Sequence, residues 1–340
     1  MKTAVVLFNL GGPDKPESVK FFLFNLFKDP YIIRLPSFLR LPLAWLISRR
    51  RNKEANEIYA EIGGKSPILE ITNNQAGALE KQIQKSHPNS KTFVCMRYWH
   101  PMTKQVVADV KKYNPDNIFL LPLYPQYSTT TTKSSLNAWF EESKKQKLIA
   151  KTNYACCYPV NEKFIEAHVS LIENEIKKIN DKNYRILFSA HSLPVSIIKS
   201  GDPYQWQVEQ TVQKILEKLN VKSDYVLCYQ SKVTPVKWLE PSTPVEIEKA
   251  AKDNKSVIVV PIAFVSDHSE TLVELDIQYK ELAENLNIKN YLRVEALNIN
   301  EIFINTLSEI VVNNVDNLNP NTTIKICPQT FKECYHNNND

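Results

Sequence analysis

The stretch SVIVVPIAFVSDHSETLVE (residues 256–274) predicts the class of fold. It opens on an apolar run rich in β-branched residues, from Val257 to Ile262, which is typical of a strand buried on both faces of a parallel sheet. Beyond Ser266, the apolar residues Leu272 and Leu275 follow helical spacing. A strand that leads directly into a helix places the turn between them at the carboxyl end of the sheet, where open α/β folds bind their ligands.

The polar residues of this turn are candidates for a functional site. Asp267, Glu270 and Glu274 are spaced at i, i+3 and i+7, so a helix would place the three carboxylates on one face. The same spacing fits an ordinary helix start, with Asp267 as the N-cap, Glu270 folding back in a capping box and Glu274 exposed to solvent. This short motif alone leaves both interpretations open.

Length and composition indicate a globular protein of two domains. The chain has 340 residues, of which 43% are hydrophobic and 23% are charged. The net charge of +5 is too small to indicate binding to nucleic acid. The first residues lead straight into a strand, and no unbroken apolar run reaches the roughly 20 residues that span a bilayer. We therefore expect a cytoplasmic protein with no signal peptide, no membrane-spanning helix and no obligate protein partner.

The positive charge is concentrated in one segment. Six of the 42 basic residues lie between residues 31 and 53, where no acidic residue occurs. Removing these six leaves 36 basic residues against 37 acidic residues, so the whole positive excess is in this segment. The segment is also rich in Phe, Leu and Ile, and a short helix is predicted at its end, over residues 52–62.

The six cysteines form no CxxC pair, which supports neither a zinc site nor a thioredoxin-like motif. Cys95 and Cys228 lie in apolar, strand-like runs, where a cysteine is typically a small core residue. This usage is typical of a reducing compartment.

The chain contains an internal repeat. VVLFNLGGP corresponds to RILFSAHSLP, FVCMRYWHP to YVLCYQSKVTP, and FLLPLYPQYS to IVVPIAFVSD. Leu7 and Cys95 are 88 residues apart, whereas Leu187 and Cys228 are 41 apart, so the first half carries an insertion of about 47 residues. With four strand-like runs in each half, we predict an α/β protein of two flavodoxin- or Rossmann-like halves, each a doubly wound parallel sheet, with the active site in the cleft between them.

The predicted domains follow from the repeat. The N-terminal half covers residues 1–155 and includes the inserted segment, at about residues 14–60. The C-terminal half covers residues 156–318, and a polar tail, residues 319–340, is expected to be loosely ordered.

The two halves differ in the residues that end their strands. Two glycines follow the first strand, whereas His191 ends the corresponding strand of the second half. Ser128, which precedes a run of threonines, corresponds to Asp267, which precedes His268. Imidazoles and carboxylates without thiolates suit iron, nickel, cobalt or zinc, or proton transfer.

These motifs closely resemble those of the ferrochelatases, over nearly the whole chain from about Leu7 to about Leu307. The resemblance rests on LFNLGGP, YPQYS, LFSAHSLP, QSK with a following PxxWL, and PIAFVSDHSETLVELD. It implies a lyase that inserts Fe²⁺ into a porphyrin to form haem, with protoporphyrin IX as the expected porphyrin and coproporphyrin III as the alternative.

The resemblance also implies roles for individual residues. His191 matches the family histidine that accepts the pyrrole protons and helps to hold the metal, and Glu270 matches its acidic partner. A neutral imidazole is a suitable base near physiological pH. His268, Glu274 and Asp276 resemble a polar track for metal or protons. The implied porphyrin-binding residues are Ile33, Arg97, Tyr124, Ser128 and Trp238.

The cysteines depart from one pattern of the family. Some ferrochelatases bind a [2Fe–2S] cluster through one mid-chain cysteine and three in a C-terminal extension, and such a cluster needs four thiolates or close substitutes. Here the tail contains only Cys327 and Cys334, the matching mid-chain region (residues 164–168) contains none, and Cys156 and Cys157 are out of register. We expect no cluster, and Fe²⁺ is a substrate.

The inserted segment resembles the flexible lip of the family. Its apolar side chains, with Arg40 and Arg49 to Arg51, suit docking on an anionic membrane surface. The alternative is a buried helical hairpin with a solvated basic edge, and the sequence pattern favours neither.

Two other functions fit parts of the pattern. A chelatase that inserts cobalt or nickel into another tetrapyrrole would use a similar set of histidines and carboxylates. A porphyrin carrier of the same fold would have no need of the polar track beyond His191. The long inserted segment and the QSK–Trp238 stretch favour the iron enzyme.

Overall fold

The computed structural model describes residues 1–179, 183–219, 224–232, 236–315 and 325–337. The chain forms two compact units, Met1–Cys157 with Ile304–Lys325, and Tyr158–Phe303 with Ile326–Asp340. The division after Cys157 is close to the boundary that the sequence places at residue 155. Residues 304–325 group with the first unit and residues 326–340 with the second, whereas the sequence pattern assigns residues up to 318 to the C-terminal half and the rest to a tail.

The first unit is built on a parallel sheet whose strand order is β2-β1-β3-β4. Its strands are β1 (Thr3–Asn9), β2 (Ser90–Met96), β3 (Asn117–Pro122) and β4 (Lys151–Tyr154). The two central strands, β1 and β3, are buried at every residue because both of their faces are covered. The helices that alternate with these strands are α1 (Val19–Phe27), α2 (Ser37–Ala60), α3 (Ile68–Ile83), α4 (Thr103–Tyr113) and α5 (Ser134–Lys145).

The second unit repeats this plan, with a parallel sheet in the order β6-β5-β7-β8. Its strands are β5 (Tyr184–His191), β6 (Asp224–Gln230), β7 (Ser256–Pro261) and β8 (Tyr291–Arg293). Its helices are α6 (Glu162–Ile176), α7 (Val195–Lys199), α8 (Tyr204–Leu219), α9 (Thr243–Lys252), α10 (Ser269–Leu272) and α11 (Tyr279–Asn285). Helix α12 (Glu301–Val312) begins in the second unit and continues in the first.

The register of the strands confirms the internal repeat. In the first sheet, Phe8 is paired with Cys95 of β2 and, on its other side, with Pro122 of β3. In the second sheet, Ser189 is paired in the same way with Cys228 of β6 and with Pro261 of β7. The α/β fold of two doubly wound parallel sheets is therefore as predicted, down to the position of single residues.

The inserted segment is more helical than its sequence suggests. The helix predicted over residues 52–62 corresponds to the second half of α2, which begins at Ser37. Pro36 is the N-cap of this helix, and Pro42 is accommodated inside it. The buried-hairpin alternative is wrong for the first half of α2, because six of its large apolar side chains are exposed to solvent: Phe38, Leu39, Leu41, Leu43, Trp45 and Leu46.

The expectation of a loosely ordered tail is wrong for residues 325–337, which pack on the second unit. The ring of Phe331 lies against Trp206, with the ring centroids 5.6 Å apart. Cys327 is buried, and its sulfur accepts a hydrogen bond from Nε2 of Gln207 at 3.1 Å. The backbone N–H of Glu333 donates to the carbonyl of residue 201. The rest of the tail, residues 319–324 and 338–340, lies outside the described residues.

Among the helices of the described ranges, none is long and apolar enough to cross a membrane.

Candidate active site

The candidate site lies at three neighbouring strand ends of the second unit. His191 is the last residue of β5, Gln230 is the last residue of β6, and Asp267 to Glu270 follow β7. Strands β6, β5 and β7 are adjacent, and the chain crosses from one side of β5 to the other between β6 and β7. Such a reversal is the switch point at which doubly wound sheets bind their ligands.

The orientation of the His191 ring is fixed by its neighbours. Nδ1 lies 2.6 Å from the carbonyl oxygen of Ser192, which can only accept, so Nδ1 carries a hydrogen. The backbone carbonyl of His191 accepts a hydrogen bond from the hydroxyl of Tyr204 at 3.0 Å. The other ring nitrogen, Nε2, is therefore the one that faces the chemistry of the site.

The carboxylate of Glu270 lies between two imidazoles. Its Oε1 is 3.4 Å from Nε2 of His191, and its Oε2 is 3.0 Å from Nε2 of His268. The side chains of His191 and Glu270 are 31% and 24% exposed, so small ligands can reach them. The ring of Phe264 packs against both imidazoles, with centroid distances of 6.4 Å to His191 and 4.9 Å to His268.

Electrostatic coupling sets the charge of this cluster. Burial lowers the pKa of His191, but the carboxylate of Glu270 outweighs it and raises that pKa to about 9. Burial likewise acts to raise the pKa of Glu270, whereas His191 and His268 together hold it well below its usual range. In the absence of metal, this coupling favours the imidazolium form of His191 beside the carboxylate of Glu270.

Glu274 lies beside Glu270 and differs from it in charge. Its Oε2 accepts hydrogen bonds from Nε2 of Gln230 at 2.9 Å and from the hydroxyl of Ser231 at 2.7 Å. The same nitrogen of Gln230 also donates to the backbone carbonyl of Glu270 at 2.7 Å, which ties the two acidic residues together. Burial and the negative charge of Glu270 both raise the pKa of Glu274. A carboxyl group of this kind takes up a proton more readily than an exposed one.

The turn contains a helix cap, but residues other than Asp267 and Glu270 form it. Helix α10 begins at Ser269 with His268 as the N-cap. The hydroxyl of Thr271 accepts from the backbone N–H of His268 at 3.1 Å. Glu270 is thus left free of any capping role and points its carboxylate at the two histidines instead.

Asp267 and Asp276 have a different partner from Glu270 and Glu274. Both bind the guanidinium of Arg293, Asp267 at 3.0 Å and Asp276 at 2.8 Å. The helix that was expected to place Asp267, Glu270 and Glu274 on one face is broken up, because a π-helical turn over Glu274–Gln278 separates α10 from α11. Such turns are frequent at functional sites.

Within the described residues, no group of three or more His, Cys, Asp and Glu side chains is arranged to hold a metal ion. The candidate metal-binding residues are therefore the pair His191 and Glu270, with His268 on the far oxygen of Glu270.

In the first unit, Arg97 is part of a buried polar cluster. Its Nη2 lies 2.8 Å from Oδ2 of Asp29, a carboxylate whose side chain is fully buried, and its Nε donates to the hydroxyl of Ser134. Asp29 Oδ2 also accepts from the hydroxyls of Ser134 and Tyr98. The Arg97 side chain remains 21% exposed, so it is not closed off from solvent.

The other expected porphyrin-binding residues are placed as follows. Ser128 is buried and caps the π-helical turn Thr129–Lys133 through a hydrogen bond from the N–H of Thr130 to its hydroxyl. Tyr124 and Ile33 are half-buried in the first unit. In the second unit, half-buried Trp238 forms a β-bridge with Pro194, three residues beyond His191. Residues 233–235, within the QSK–Trp238 stretch, lie outside the described residues.

Four residues that hold the site together were missed at the level of sequence: Gln230, Ser231, Phe264 and Arg293. Gln230 and Ser231 had a usable signal, because they correspond to Arg97 and Tyr98 in the repeat. The sequence contains no such signal for Phe264 or Arg293, because each contacts residues of a different strand, helix or turn.

The fold of this chain has a counterpart among solved structures. The two-half α/β fold is shared with a solved structure of SirB from Bacillus subtilis with Fe³⁺, at a TM-score of 0.56 and 13% identity, over 93% of this chain and 97% of that chain. At this identity the likeness concerns the fold alone. This chain and that structure thus have the same α/β fold of two parallel-sheet halves.

Sequence relatives give the family. The family model Ferrochelatase matches residues 2–315. The ferrochelatase of Pelagibacter ubique (strain HTCC1062) is 52% identical over 98% of both chains, and that of Rickettsia bellii (strain OSU 85-389) is 48% identical over 98% of this chain and 94% of its own. This chain belongs to the ferrochelatase family, and it is an enzyme of the lyase class that acts in haem synthesis by iron insertion.

Proposed function

We propose that the porphyrin substrate is protoporphyrin IX and that His191 and Glu270 are the catalytic residues. The observation that carries the assignment of the two catalytic residues is the partly accessible carboxylate of Glu270 with an imidazole on each oxygen, at the switch point of the second sheet. Coproporphyrin III is the alternative substrate, and a comparison of kcat/KM for the two porphyrins distinguishes them.

Metal insertion releases two pyrrole protons, so the site needs two acceptors. Nε2 of His191 is the first, because Nδ1 is held by the carbonyl of Ser192. Glu274 is the second, since its raised pKa makes it a ready acceptor beside Glu270. In total, one porphyrin and one Fe²⁺ yield one haem and two protons.

The positive charge of His191 before metal binds implies an order of metal binding and proton transfer in the reaction. While Glu270 is a free carboxylate, it holds a proton on His191. An Fe²⁺ ion bound to Glu270 would withdraw this negative charge, so the pKa of the imidazole would fall and the proton on Nε2 would pass to solvent, which leaves a neutral base. The base is thus produced by the metal substrate itself. Carboxylates also replace the water ligands of the ion one at a time.

The test is anaerobic Fe²⁺ insertion, followed by absorbance, for wild type, His191→Ala and Glu270→Ala. The matched control is Glu281→Ala, which removes an exposed carboxylate on α11. We expect both site variants to bind porphyrin and to lose metalation, whereas the control keeps the wild-type rate. Full activity of Glu270→Ala would remove the site assignment.

Two further outcomes correspond to the other candidate functions. Faster insertion of Co²⁺ or Ni²⁺ than of Fe²⁺, with a different tetrapyrrole, would identify another chelatase. Porphyrin binding without metalation in wild type would identify a carrier.

For the porphyrin itself, we propose contacts with Arg97, Tyr124, Ile33, Ser128 and Trp238. The partly exposed side chain of Arg97 suits a propionate, and the half-buried rings suit the face of the macrocycle. Arg97→Lys, which keeps a positive charge beside the buried Asp29 but loses the guanidinium fork, is expected to raise KM for porphyrin more than it lowers kcat, because it weakens a binding contact and leaves the proton acceptors in place.

We also propose that the cytoplasmic enzyme binds peripherally to the membrane through the exposed apolar residues of α2. Phe38 is 73% exposed and Trp45 is 48% exposed, and the guanidinium of Arg49 lies 4.7 Å from the Trp45 ring. Arg40 is less available than the sequence suggests, because it donates to the backbone carbonyls of Lys28 and Leu35.

Co-sedimentation with vesicles tests this attachment. Phe38→Ser and Trp45→Ser are expected to weaken binding to anionic vesicles. Ile149→Ser is the control, since Ile149 is 92% exposed in the same unit but outside α2. Equal binding by all variants, or none by wild type, would contradict the proposal.

We propose, finally, that the enzyme works without an iron–sulfur cluster. Both tail cysteines are buried, and Cys327 accepts from Gln207. The proposal predicts that protein purified without air contains no acid-labile sulfide, and that Cys327→Ser and Cys334→Ser keep the metalation activity.

A further inference from the structure

Arg293 joins the two ends of the segment that carries the candidate catalytic acids. It is the last residue of β8, and β8 pairs with β7. Its Nη1 lies 3.0 Å from Oδ1 of Asp267, before α10, and its Nε donates at 2.8 Å to Oδ1 of Asp276, inside the π-helical turn. His268, Glu270 and Glu274 all lie between these two anchor points.

Both carboxylate oxygens of Asp267 accept hydrogen bonds. Besides Arg293, its Oδ1 accepts the hydroxyl of Thr271 at 2.8 Å, and its Oδ2 accepts Nδ2 of Asn298 at 2.7 Å. Its backbone N–H donates in turn to Oδ1 of Asn298. The Arg293 and Asp267 side chains are both only 12% exposed. Ion pairs that are shielded and hydrogen-bonded in this way hold one geometry far better than exposed ones.

We propose that Arg293 is a positioning residue for metal insertion, which sets the path of residues 267–276 and so the separation of Glu270 from His191 and from Glu274. This inference rests on the proposed function, because it assigns Arg293 a role through those acids. Arg293 itself touches neither metal nor porphyrin in this scheme.

The chemistry of the side chain explains why an arginine is used. A guanidinium presents several N–H groups in a rigid plane and can bind two carboxylates at once, whereas an ammonium group is a single point of charge. The bond to Asp276 has two points, since Nη2 contacts Oδ2 of Asp276 in addition to the Nε contact. A lysine would keep the charge but lose this fork.

The second unit contains a matched control for such an arginine. Arg185, near the start of β5, is 11% exposed and also binds two aspartates, Asp224 at 2.6 Å and Asp253 at 2.7 Å. It lies six residues before His191, or about 20 Å away along the strand. Arg185 therefore has the same chemistry at the opposite end of the sheet.

The experiment compares Arg293→Gln, Arg293→Lys and Arg185→Gln with wild type in the full chain. The first measurement is anaerobic Fe²⁺ insertion, with kcat and KM for porphyrin determined separately at a temperature at which every variant is folded. The second is hydrogen exchange of the backbone amides of residues 268–278, which reports the order of the segment directly.

We expect Arg293→Gln to lower kcat 10- to 100-fold, the usual effect of removing a supporting partner, while KM for porphyrin stays within twofold. Exchange at residues 268–278 should become faster. Arg293→Lys should recover part of the rate. Arg185→Gln should keep the wild-type kcat and the wild-type exchange at residues 268–278.

The outcomes separate this inference from the proposed function. If Glu270→Ala abolishes metalation but Arg293→Gln metalates at the wild-type rate, only the positioning role is overturned. A loss of kcat in Arg185→Gln as large as that in Arg293→Gln would also overturn it. If Glu270→Ala is fully active, the proposed function falls first. Should Arg293→Gln not fold, Arg293→Lys carries both measurements.

Discussion

His268 lies with Nε2 3.0 Å from Oε2 of Glu270, while its Nδ1 is buried and, within the described part of the chain, has no hydrogen-bond partner. The first contact needs a hydrogen on Nε2, so in the neutral ring Nδ1 is a bare lone pair. The His268 ring therefore acts on the site through the contact of its Nε2 with Glu270.

Removing His268 should disturb Glu270 through its second oxygen. In His268→Ala, Oε2 loses its donor, so the pKa of Glu270 should rise and the acid limb of the pH–rate profile should move to higher pH. We expect kcat to fall about 10-fold at neutral pH, at the low end for a supporting partner. An unchanged acid limb in this variant would show that the contact has no influence on Glu270.

The charge of His191 predicts a dependence of stability on pH. Its pKa is about 9 in the folded protein, compared with an ordinary value of 6.5, so the folded state binds more protons between these two values. The stabilisation is complete below pH 6.5 and is lost as the pH rises through 9. The slope reaches at most about 1.4 kcal/mol per pH unit.

The measurement is the free energy of denaturant unfolding from pH 6 to 10, for wild type and His191→Asn without metal or porphyrin. Wild type should lose its advantage over the variant in the window from 6.5 to 9. Parallel curves for the two proteins would contradict the pairing with Glu270.

Glu274→Gln should slow catalysis without unfolding the site. The amide oxygen of Gln still accepts from the hydroxyl of Ser231, but the side chain no longer takes up a proton. We expect kcat to fall about 10²-fold, the lower part of the range for a lost proton acceptor. Glu281→Gln, an exposed residue on α11, is the control and should match wild type. A wild-type rate in Glu274→Gln would leave the second proton without its assigned acceptor.

Asp29→Asn should cost the first unit much of its stability. The substitution leaves the partly buried guanidinium of Arg97 without its counter-charge and weakens the bonds from Ser134 and Tyr98. We expect a loss of about 3 kcal/mol, the lower end for breaking a buried pair, because Arg97 is 21% exposed. Glu54→Gln, in an exposed pair on α2, should change stability by less than about 0.5 kcal/mol. Equal unfolding midpoints for the two variants would contradict this assignment.

The sheets could be predicted from the sequence because their signal is local. Runs such as Val257 to Val260 are continuous in β-branched residues, and the repeat sets the strand order once one half is known. His191 and Glu270 emerged from the contrast between the halves and from the family resemblance. The start of helix α2 was predicted wrongly, because prolines such as Pro36 and Pro42 usually indicate a break in a helix.

The features that could not be predicted from the sequence depend on distances between separate strands, helices and turns. Arg293 carries no periodic or spacing signal that connects it with Asp276, since the two residues meet only after β8 has joined the sheet. The protonation of His191 is likewise a property of its approach to Glu270, and no composition or motif contains it. The packing of the tail on Trp206 could not be anticipated either, because the polar tail has no amphipathic pattern.

The hydrogen bond that holds Nδ1 of His191 has a consequence for the order of events in each cycle. With Nδ1 bonded to the carbonyl of Ser192, a turn of the ring that offers its other nitrogen would break this hydrogen bond. A proton that reaches Nε2 must leave through Nε2. The proton therefore arrives and departs through the same ring nitrogen. Nε2 has to release it before the next porphyrin can transfer a pyrrole proton to His191.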